Sequence, residues 1–482
     1  MDLLKHYGDT LAGASDMAAW IREVVGYGIR RPGSDAGHRI ESWVASRLRY
    51  QGLDDVRAEP LDVPVWEPRS ARLVAWPAGR SADAIELPAF ALPYTQPSPG
   101  RDADLVALDP AAPGAVAGAI AVDTVDPVVL PGSLMREVAT GRHDPTGELD
   151  DYQHLLPFGS RLGREVDAAV EQAASGYVGV LDMPWDTHDY YVPYDAVDRP
   201  LPAVWIDRSA GARLRDLLAG GRARGRIEVD ASTRLGTTNN VIGTLPGASD
   251  EWVVIGTHHD APWASAVEDA SGIALVLAQA AFWARVPVRW RPHNLLFLVN
   301  GGHMAGGAGM SAFLAAHADL LDRVVLAIHL EHVAAATVVD EGRLVATGDP
   351  EVRWWFTSRD PGLERSVGAA LKAENLHRSW VLPPDAFGEF PPTDGGVFHR
   401  HGVPLVDLLS APAYLFDACD TLDKVHEPSL VPITRATVRI IDALTGRSAA
   451  DLRAGSMPAE PAVPVEPAES TAPEADAAMA GS

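Results

Sequence analysis

Histidines and carboxylates concentrate in four short segments between residues 258 and 332. These segments are His258-His259-Asp260, Glu268-Asp269, His303 and His329-Leu330-Glu331-His332. Imidazole nitrogens and carboxylate oxygens are ligands with which proteins hold zinc, and manganese or iron accept similar donors. The residue types in these segments therefore indicate chemistry at a divalent metal ion.

The segments that surround these residues alternate between apolar strands and amphipathic helices. The pattern predicts strands over residues 252–256, 294–299, 324–330 and 404–409, and helices over residues 271–284, 308–318, 363–374 and 433–444. Such alternation is typical of an α/β fold with a mostly parallel central sheet covered by helices on both faces. The site of such a fold lies beyond the carboxyl ends of the strands.

Changes in composition divide the chain into four parts. Residues 1–94 carry N-terminal helices and the first part of the metal-site domain, which resumes over residues 233–447. Residues 95–232 combine short apolar runs with Gly/Pro-rich segments, so we expect a small inserted domain that folds separately, with its edge over the site. Residues 448–482 are rich in Ala, Pro, Glu and Ser, and this composition predicts a disordered, dispensable tail.

Several motifs resemble those of one enzyme family. The run Val253-Val254-Ile255-Gly256-Thr257-His258-His259-Asp260, followed by Glu268-Asp269-Ala270-Ser271-Gly272, resembles the signature of the bacterial leucyl aminopeptidase and glutamate carboxypeptidase-like zinc exopeptidases. Arg31-Pro32-Gly33-Ser34 is similar to an early turn of that family, and residues 414–425 to its closing motif. The run at residues 201–207 is similar to part of a protease-associated domain. The resemblance is collinear over residues 15–445 and implies a zinc-exopeptidase-like fold with an inserted protease-associated-like domain.

Of the two metal sites in this family, the resemblance implies that this chain keeps ligand-type residues for one and not for the other. For one site, the resemblance places His258, Glu268 and Glu331 where the family has a His and two Asp. For the other site, the ligand positions are occupied by Gly302 and Phe416. The family's general base aligns with Gly301. The resemblance therefore implies that ordinary two-metal aminopeptidase activity is absent or very weak.

These observations predict one divalent metal ion, zinc in the first place, with manganese or iron as alternatives. The expected ligands are His258, Glu268 and Glu331, assisted by His303 or His329. The longer glutamates are expected to shift the ion toward space vacated at Gly301 and Gly302.

Two of the residues near this ion are expected to take part in catalysis. We expect His303 to act in acid–base chemistry and Asp260 to orient His258. Strand alternation places His332 on the opposite face from His329 and Glu331, unless the strand has already ended before it.

Three functions remain open at this point. The first is a metal-dependent, hydrolase-like enzyme, diverged from the aminopeptidases, that acts on a small amino-acid-like or amide substrate by hydrolysis, cyclisation, elimination or oxidation. The second is a metal-free pseudopeptidase that binds a peptide or a partner in the old cleft. The third is a metal-dependent aminopeptidase with substituted ligands.

Composition restricts the partners and the compartment. The 65 acidic residues outnumber the 40 basic ones, and the net charge of −25 argues against nucleic acid and anionic membranes as partners. A single cysteine, Cys419, and the lack of a bilayer-length apolar run predict a cytoplasmic protein, for which homo-oligomerisation stays open. The expected partner is a small-molecule or peptide-like substrate.

Overall fold

The computed structural model describes residues 2–109, 112, 114–156 and 164–456. The helices are α1 Leu3–Tyr7, α2 Ala14–Gly26, α3 Asp35–Gln51, α4 Gly132–Val138, α5 Arg164–Glu171, α6 Arg208–Ala219, α7 Gly272–Arg285, α8 Ala308–Ala316, α9 Ala318–Leu321, α10 Pro361–Ala373, α11 Gly396–Arg400, α12 Glu427–Asp442 and α13 Ala449–Ser456. The strands are β1 Asp54–Pro77, β2 Ile85–Pro88, β3 Phe90–Ala91, β4 Asp102–Ala107, β5 Ile120–Val125, β6 Val129–Pro131, β7 Gly141–His143, β8 Gln153–Leu155, β9 Gly176–Leu181, β10 Ala203–Ile206, β11 Ala223–Leu245, β12 Trp252–His258, β13 Asn294–Asn300, β14 Val324–Leu330, β15 Ala335–Asp340, β16 Arg343–Pro350, β17 Arg353–Thr357, β18 Ser379–Leu382 and β19 Leu405–Leu409.

A mixed sheet forms the centre of the fold, in the order β11-β13-β12-β14-β19-β17-β18-β7. Its four middle strands, β13, β12, β14 and β19, are parallel to one another, and nearly all their residues are buried. Parallel strands with both faces covered are expected to be continuous apolar runs, as these are. The predicted α/β fold and its four strands are therefore confirmed, with end residues that differ by one or two positions.

Different helices pack against the two faces of this sheet. Along β12 and β13, alternate residues such as Val253 and Leu295 pack in a large core with α2, α3, α7 and α12. The residues between them, such as Val254 and Leu296, pack against Met310 and the rest of α8. This division follows from the two-residue period of a strand. Within the described residues, no helix is long and apolar enough to cross a membrane.

Residues 95–232 are attached to the central sheet at both of its ends. The long strands β1 and β11 pair antiparallel over their whole length, and the far half of β11 pairs with β4, which continues to β5, β9 and β10. At the other end, β7 pairs with β18 in the sheet that contains His258. The expectation that residues 95–232 fold separately is therefore wrong for β7, whereas the domain boundaries themselves stay a prediction.

The end of the described chain is ordered and docked. Leu452 of α13 is fully buried, and Arg453 donates hydrogen bonds to the carbonyl oxygens of Leu321, Asp322 and Gly402. The expectation of disorder from residue 448 is therefore wrong for α13, because one leucine and one arginine are enough to hold this short helix on the body. The rest of the expected tail, residues 457–482, lies outside the described residues.

Candidate metal centre

The predicted ligands meet where the central parallel strands end. His258 is the last residue of β12, His303 lies three residues beyond the end of β13, and Glu331 directly follows β14. The carboxyl ends of parallel strands lie at one edge of a sheet, so these side chains converge there. All of them are buried, together with Glu268 from the loop before α7. These side chains therefore lie at the carboxyl ends of the parallel strands, where the sequence predicts the site.

Five side chains form two overlapping groups of potential ligands. In the first, Glu268 Oε1 lies 3.3 Å from His258 Nε2 and 3.8 Å from His303 Nε2. In the second, the carboxylate of Glu331 lies 4.0 Å from His258 Nε2 and 3.8 Å from His332 Nε2. His332 Nε2 also lies 2.6 Å from Glu268 Oε2. We call these five residues the ligand floor: His258, Glu268, His303, Glu331 and His332.

Two of the three imidazoles of the ligand floor, those of His258 and His332, are held by hydrogen bonds at their Nδ1 atoms. His258 Nδ1 lies 2.9 Å from the carbonyl oxygen of Asp260, and His332 Nδ1 lies 2.8 Å from that of Ser410. Because a carbonyl oxygen only accepts hydrogen bonds, each Nδ1 carries the proton, and the Nε2 of the neutral ring keeps a lone pair. His303 Nδ1 faces the carboxylate of Asp394 at 3.1 Å. Each Nε2 is therefore oriented as a metal ligand.

The unpartnered atoms of the ligand floor fit a metal ion. Within the described residues, the Nε2 atoms of His258 and His332 and both carboxylate oxygens of Glu268 are buried without a hydrogen-bond partner. His332 and Glu268 approach closely, but without the alignment of a hydrogen bond. Buried polar atoms are normally satisfied, and these nitrogen and oxygen atoms are typical zinc ligands. A bound divalent ion would satisfy them.

Charge compensation keeps the carboxylates of the ligand floor ionised. Burial alone would raise the pKa of Glu268, but the charge of His332 and contacts with His258 hold it well below its usual range. Burial alone would lower the pKa of His332, but the charge and contact of Glu268 raise it to about 10. Burial alone would likewise lower the pKa of His258, but Glu268 raises it well above its ordinary value. The buried glutamate therefore depends on nearby positive charge. A metal ion would supply that charge in place of the protons that His258 and His332 otherwise carry at Nε2.

His329 lies beside the ligand floor and outside both groups. Its Nε2 lies 2.7 Å from Glu331 Oε1 and donates a hydrogen bond to that carboxylate. A nitrogen that carries this proton has no lone pair for a metal. Burial alone would lower the pKa of His329, but Glu331 raises it. The structure thus places His329 as a partner that orients Glu331.

His332 reaches the ligand floor, in contrast to the expectation from strand alternation. Strand β14 ends at Leu330, and His332 has a φ of 56°, in the left-handed region. The turn brings its ring back toward Glu268 and Glu331. The exception that strand alternation left open therefore applies, because the strand ends before His332 and the two-residue period holds only inside a strand.

Asp260 orients His258 through its main chain. Its carbonyl oxygen contacts His258 Nδ1, whereas its carboxylate accepts hydrogen bonds from the backbone N–H groups of His303 and Met304 at 3.2 Å and 2.7 Å. The contact with His258 thus comes from the backbone of Asp260, and its catalytic role stays a prediction. The side chain of Asp260 fixes the turn that carries His303.

The two glycines before His303 leave no open space beside the ligand floor. A Cβ atom at Gly301 would lie 2.7 Å from Thr238 Oγ1 and 2.8 Å from His259 Nε2. At Gly302, where φ is 75°, it would lie 3.3 Å from the Cβ of Ala308. The expectation of vacated space into which the ion shifts is wrong, because Thr238, His259 and Ala308 fill it.

Two buried side chains that the sequence did not single out support the loop of Glu268. Asp420 accepts hydrogen bonds from the backbone N–H groups of Val267 and Glu268, and burial raises its pKa to about 7. Arg30 donates to the carbonyl oxygens of Ser265 and Glu268, and burial lowers its pKa to about 10. Asp420 falls in the closing motif and Arg30 precedes the early turn, but neither motif predicts this contact.

An apolar cavity of about 280 Å³ opens onto the ligand floor. Glu268, His303, Glu331 and His332 line one side, and the remaining lining residues are Val128, Leu130, Leu156, Tyr194, Trp354, Phe387, Pro392, Leu409, Ala411, Leu415 and Phe416. Phe416, at the position of a ligand in the resembling family, is thus part of the cavity wall. Four lining residues come from residues 95–232, and we call them the insert wall: Val128, Leu130, Leu156 and Tyr194.

The sheet and its helices have the fold of solved aminopeptidase structures. Residues 240–441, which contain the whole ligand floor, match the sequence model of Peptidase family M28. This part of the chain therefore has the sequence features of that family. Among curated proteins, none matches this chain.

Solved structures show the same fold over nearly the whole chain. A peptidase M28 precursor from Shewanella amazonensis SB2B has a TM-score of 0.69 at 20% identity and covers 92% of this chain and 95% of its own. The zinc aminopeptidase BSAP from Bacillus subtilis has a TM-score of 0.64 at 15% identity and covers 90% and 95%. An aminopeptidase from Aneurinibacillus sp. strain AM-1 has a TM-score of 0.61 at 18% identity and covers 90% and 94%. At such identities the likeness concerns the fold.

Proposed function

We propose that this protein is a peptidase-like metalloenzyme that holds one divalent ion, zinc in the first place, and acts on a small amide or peptide-like substrate. The observation that carries the proposal is the ligand floor, in which three imidazoles and two carboxylates converge and several of their buried ligand atoms are unpartnered. Manganese and iron are the alternatives that the same donors allow. The fold shared with zinc aminopeptidases supports the choice of reaction class.

The shared histidine supports one ion rather than two. Both potential ligand groups use His258 Nε2. Its other nitrogen is held by the carbonyl oxygen of Asp260, so the ring offers a single lone pair. One lone pair binds one ion at a time, and therefore the two groups are alternatives or parts of a single coordination shell. Gly302 and Phe416 offer no side-chain donor for a second ion.

The ligand floor and the apolar cavity have different roles toward a substrate: the first provides chemistry and the second provides binding. A divalent ion supplies a Lewis acid and lowers the pKa of bound water. The residues of the ligand floor that do not hold the ion are placed to take or give a proton, and His332 and Glu331 both line the cavity. The apolar lining excludes water and binds an uncharged group of the substrate. We propose amide hydrolysis as the first reaction to test, ahead of cyclisation, elimination or oxidation.

Metal analysis of protein purified without chelators tests the proposal. We expect one equivalent of metal in the wild-type protein. His258→Ala should weaken metal binding by more than the roughly 10- to 100-fold that loss of an outer hydrogen-bond partner costs. His259→Gln is the matched control, since His259 is equally buried but its Nε2 lies 2.8 Å from the carbonyl oxygen of Asn239, outside both ligand groups. Two equivalents would refute the mononuclear site.

A metal-free pseudopeptidase is the second candidate. The observation that favours it is the close pairing of His329 with Glu331 at 2.7 Å, which satisfies one carboxylate without an ion. Wild-type protein that binds no metal, yet retains an apolar ligand in the cavity, would establish this alternative. Efficient, chelator-sensitive release of leucine from a leucyl anilide would instead favour an aminopeptidase with substituted ligands.

Wider aspects of the protein are proposed on the same basis. We infer a relationship to leucyl aminopeptidase-like zinc exopeptidases, with residues 95–232 as a protease-associated-like insertion. The single cysteine supports a cytoplasmic location, and the acidic surface argues against nucleic acid and membrane partners. Fractionation of the source cells would test the location.

A further inference from the structure

Tyr194 differs from the other tyrosines near the site in what its hydroxyl does. The hydroxyls of Tyr94, Tyr190 and Tyr414 donate to the carbonyl oxygens of Met304, Ala413 and Ala335, at 3.1 Å in each case. Within the described residues, the hydroxyl of Tyr194 makes no hydrogen bond. It is also not one of the fully buried polar atoms that lack a partner. Tyr194 is half-buried and lines the cavity. Its hydroxyl is therefore available to a ligand.

The ring of Tyr194 is held firmly between two residues of the site. It stacks on the imidazole of His303 at 5.4 Å between ring centres, with 25° between the planes. On another side it packs against Phe416 at 4.9 Å. The main chain is also fixed, since the carbonyl oxygen of Tyr194 accepts a hydrogen bond from the N–H of Gly306 at 2.8 Å. A donor that is positioned before the ligand arrives costs little reorganisation when the ligand binds.

The chemistry of the cavity indicates which ligand atom this hydroxyl serves. Among the described lining residues, the polar side chains are those of the ligand floor, Tyr194 and Trp354, whose Nε1 is buried without a hydrogen-bond partner. The ligand floor holds the ion or moves protons, so Tyr194 and Trp354 are the neutral donors that remain. Of the two, Tyr194 is the one whose ring stacks on His303 of the ligand floor. An amide substrate presents a carbonyl oxygen, which needs such a donor when it leaves water.

We propose that Tyr194 is a further catalytic residue, whose hydroxyl donates a hydrogen bond to the carbonyl oxygen of the substrate amide. This inference rests on the proposed function, because it takes the substrate to be an amide bound beside the ligand floor. The donor would come from residues 95–232, outside the segment of the chain that matches the peptidase family. The insertion would then complete the site chemically as well as enclose it.

The test compares Tyr194→Phe with the wild-type protein, using phenylacetamide labelled with ¹³C at the carbonyl. The variant keeps both ring contacts and loses only the hydroxyl. We expect the infrared carbonyl band of the bound probe to lie at lower wavenumber in the wild type. The variant should bind the probe about 10-fold more weakly by calorimetry, the usual effect of one hydrogen bond. If the protein hydrolyses the probe or a related anilide, kcat should fall about 10²- to 10³-fold, and KM should rise by no more than the roughly 10-fold loss of probe affinity.

Tyr190→Phe is the matched control. Tyr190 also contacts Phe416, at 6.4 Å between ring centres, but its hydroxyl donates to Ala413. This variant should leave the band and the affinity unchanged. The inference is overturned if Tyr194→Phe leaves both unchanged, or if the wild type binds no probe. Metal content is measured in the same wild-type and variant samples. Absence of metal from the wild-type protein contradicts the proposed function, whereas the infrared comparison of the two proteins decides the role of Tyr194.

Discussion

The ligand floor and the insert wall enclose one cavity but are built differently. The ligand floor is deeply buried and polar, and the ends of β12, β13 and β14 fix most of it. Hydrogen bonds at Nδ1 hold the rings of His258 and His332, and His303 Nδ1 lies 3.1 Å from the carboxylate of Asp394. The insert wall is apolar except for one hydroxyl, and its residues are only half-buried. Strand ends fix positions within a packed sheet, whereas loops and hairpins are easier to change. The comparison supports the proposed function, in which the first region binds the metal and the second selects the ligand.

The insert wall nevertheless has its own anchors on the body of the protein. His154 of β8 donates from Nε2 to the carbonyl oxygen of Ala411 at 2.8 Å, and its ring lies 4.8 Å from that of Trp354. The N–H of Tyr191 donates to the carbonyl oxygen of Phe416 at 2.9 Å. These contacts hold residues 95–232 over the ligand floor. Substitutions in the ligand floor and in the insert wall should therefore have separable effects on stability, metal content and ligand affinity.

The largest effect is expected when the support of the ligand floor is removed by Asp420→Ala. This change leaves the buried N–H groups of Val267 and Glu268 without their acceptor, and each unsatisfied group costs about 1–3 kcal/mol. We expect the free energy of unfolding in urea to fall by about 2–4 kcal/mol, and metal affinity to fall because Glu268 loses its position. Asp423→Ala is the control in the same motif, since the side chain of Asp423 is 61% exposed. Equal stability of the two variants would contradict this role of Asp420.

An intermediate effect is expected from Leu130→Glu in the insert wall. The change places a carboxylate in an apolar lining, and burial of one leucine side chain is worth about 1.5–3 kcal/mol. We expect phenylacetamide to bind about 10-fold more weakly, with metal content unchanged. Val129→Glu, on the adjacent residue of β6 that is 49% exposed, should alter neither quantity. Loss of metal in Leu130→Glu would contradict the claim that the insert wall affects ligand binding without affecting metal binding.

The smallest effect concerns pH and the anchor of the insert wall at His154. Burial lowers the pKa of His154 below its ordinary value of 6.5, although the nearby Glu351 opposes this shift and Arg378 adds to it. The unfolded chain therefore takes up a proton below pH 6.5 that folded His154 does not. The stabilisation is present above pH 6.5 and is lost as the pH falls, at no more than about 1.4 kcal/mol per pH unit.

Urea unfolding of the wild type and of His154→Gln between pH 7 and pH 5 measures this contribution. The variant should lose less stability on acidification than the wild type, by about 1 kcal/mol over the first unit below pH 6.5. His401→Gln, at an exposed histidine, controls for loss of an imidazole elsewhere. Identical pH profiles for the wild type and His154→Gln would show that this histidine does not couple the insert wall to pH.

The sequence by itself determined the central sheet and where the ligands cluster. The apolar runs of β12, β13, β14 and β19 and the helix patterns of α7 and α8 are local properties, because the strand and helix periods depend only on neighbours in the chain. Parallel strands then place His258 and Glu331 at one edge of the sheet without further information.

The tertiary structure decided the remaining features, because each depends on residues far apart in the chain. The turn after Leu330 brings His332 to Glu268, and Thr238 with His259 fills the space beside Gly301. Asp420 lies 152 positions from Glu268 and still accepts its N–H. The insert wall reaches the cavity only because β7 and the segment around Tyr191 join the body. Hydrogen bonds and packing between distant segments have no sequence period, so spacing and composition do not predict them.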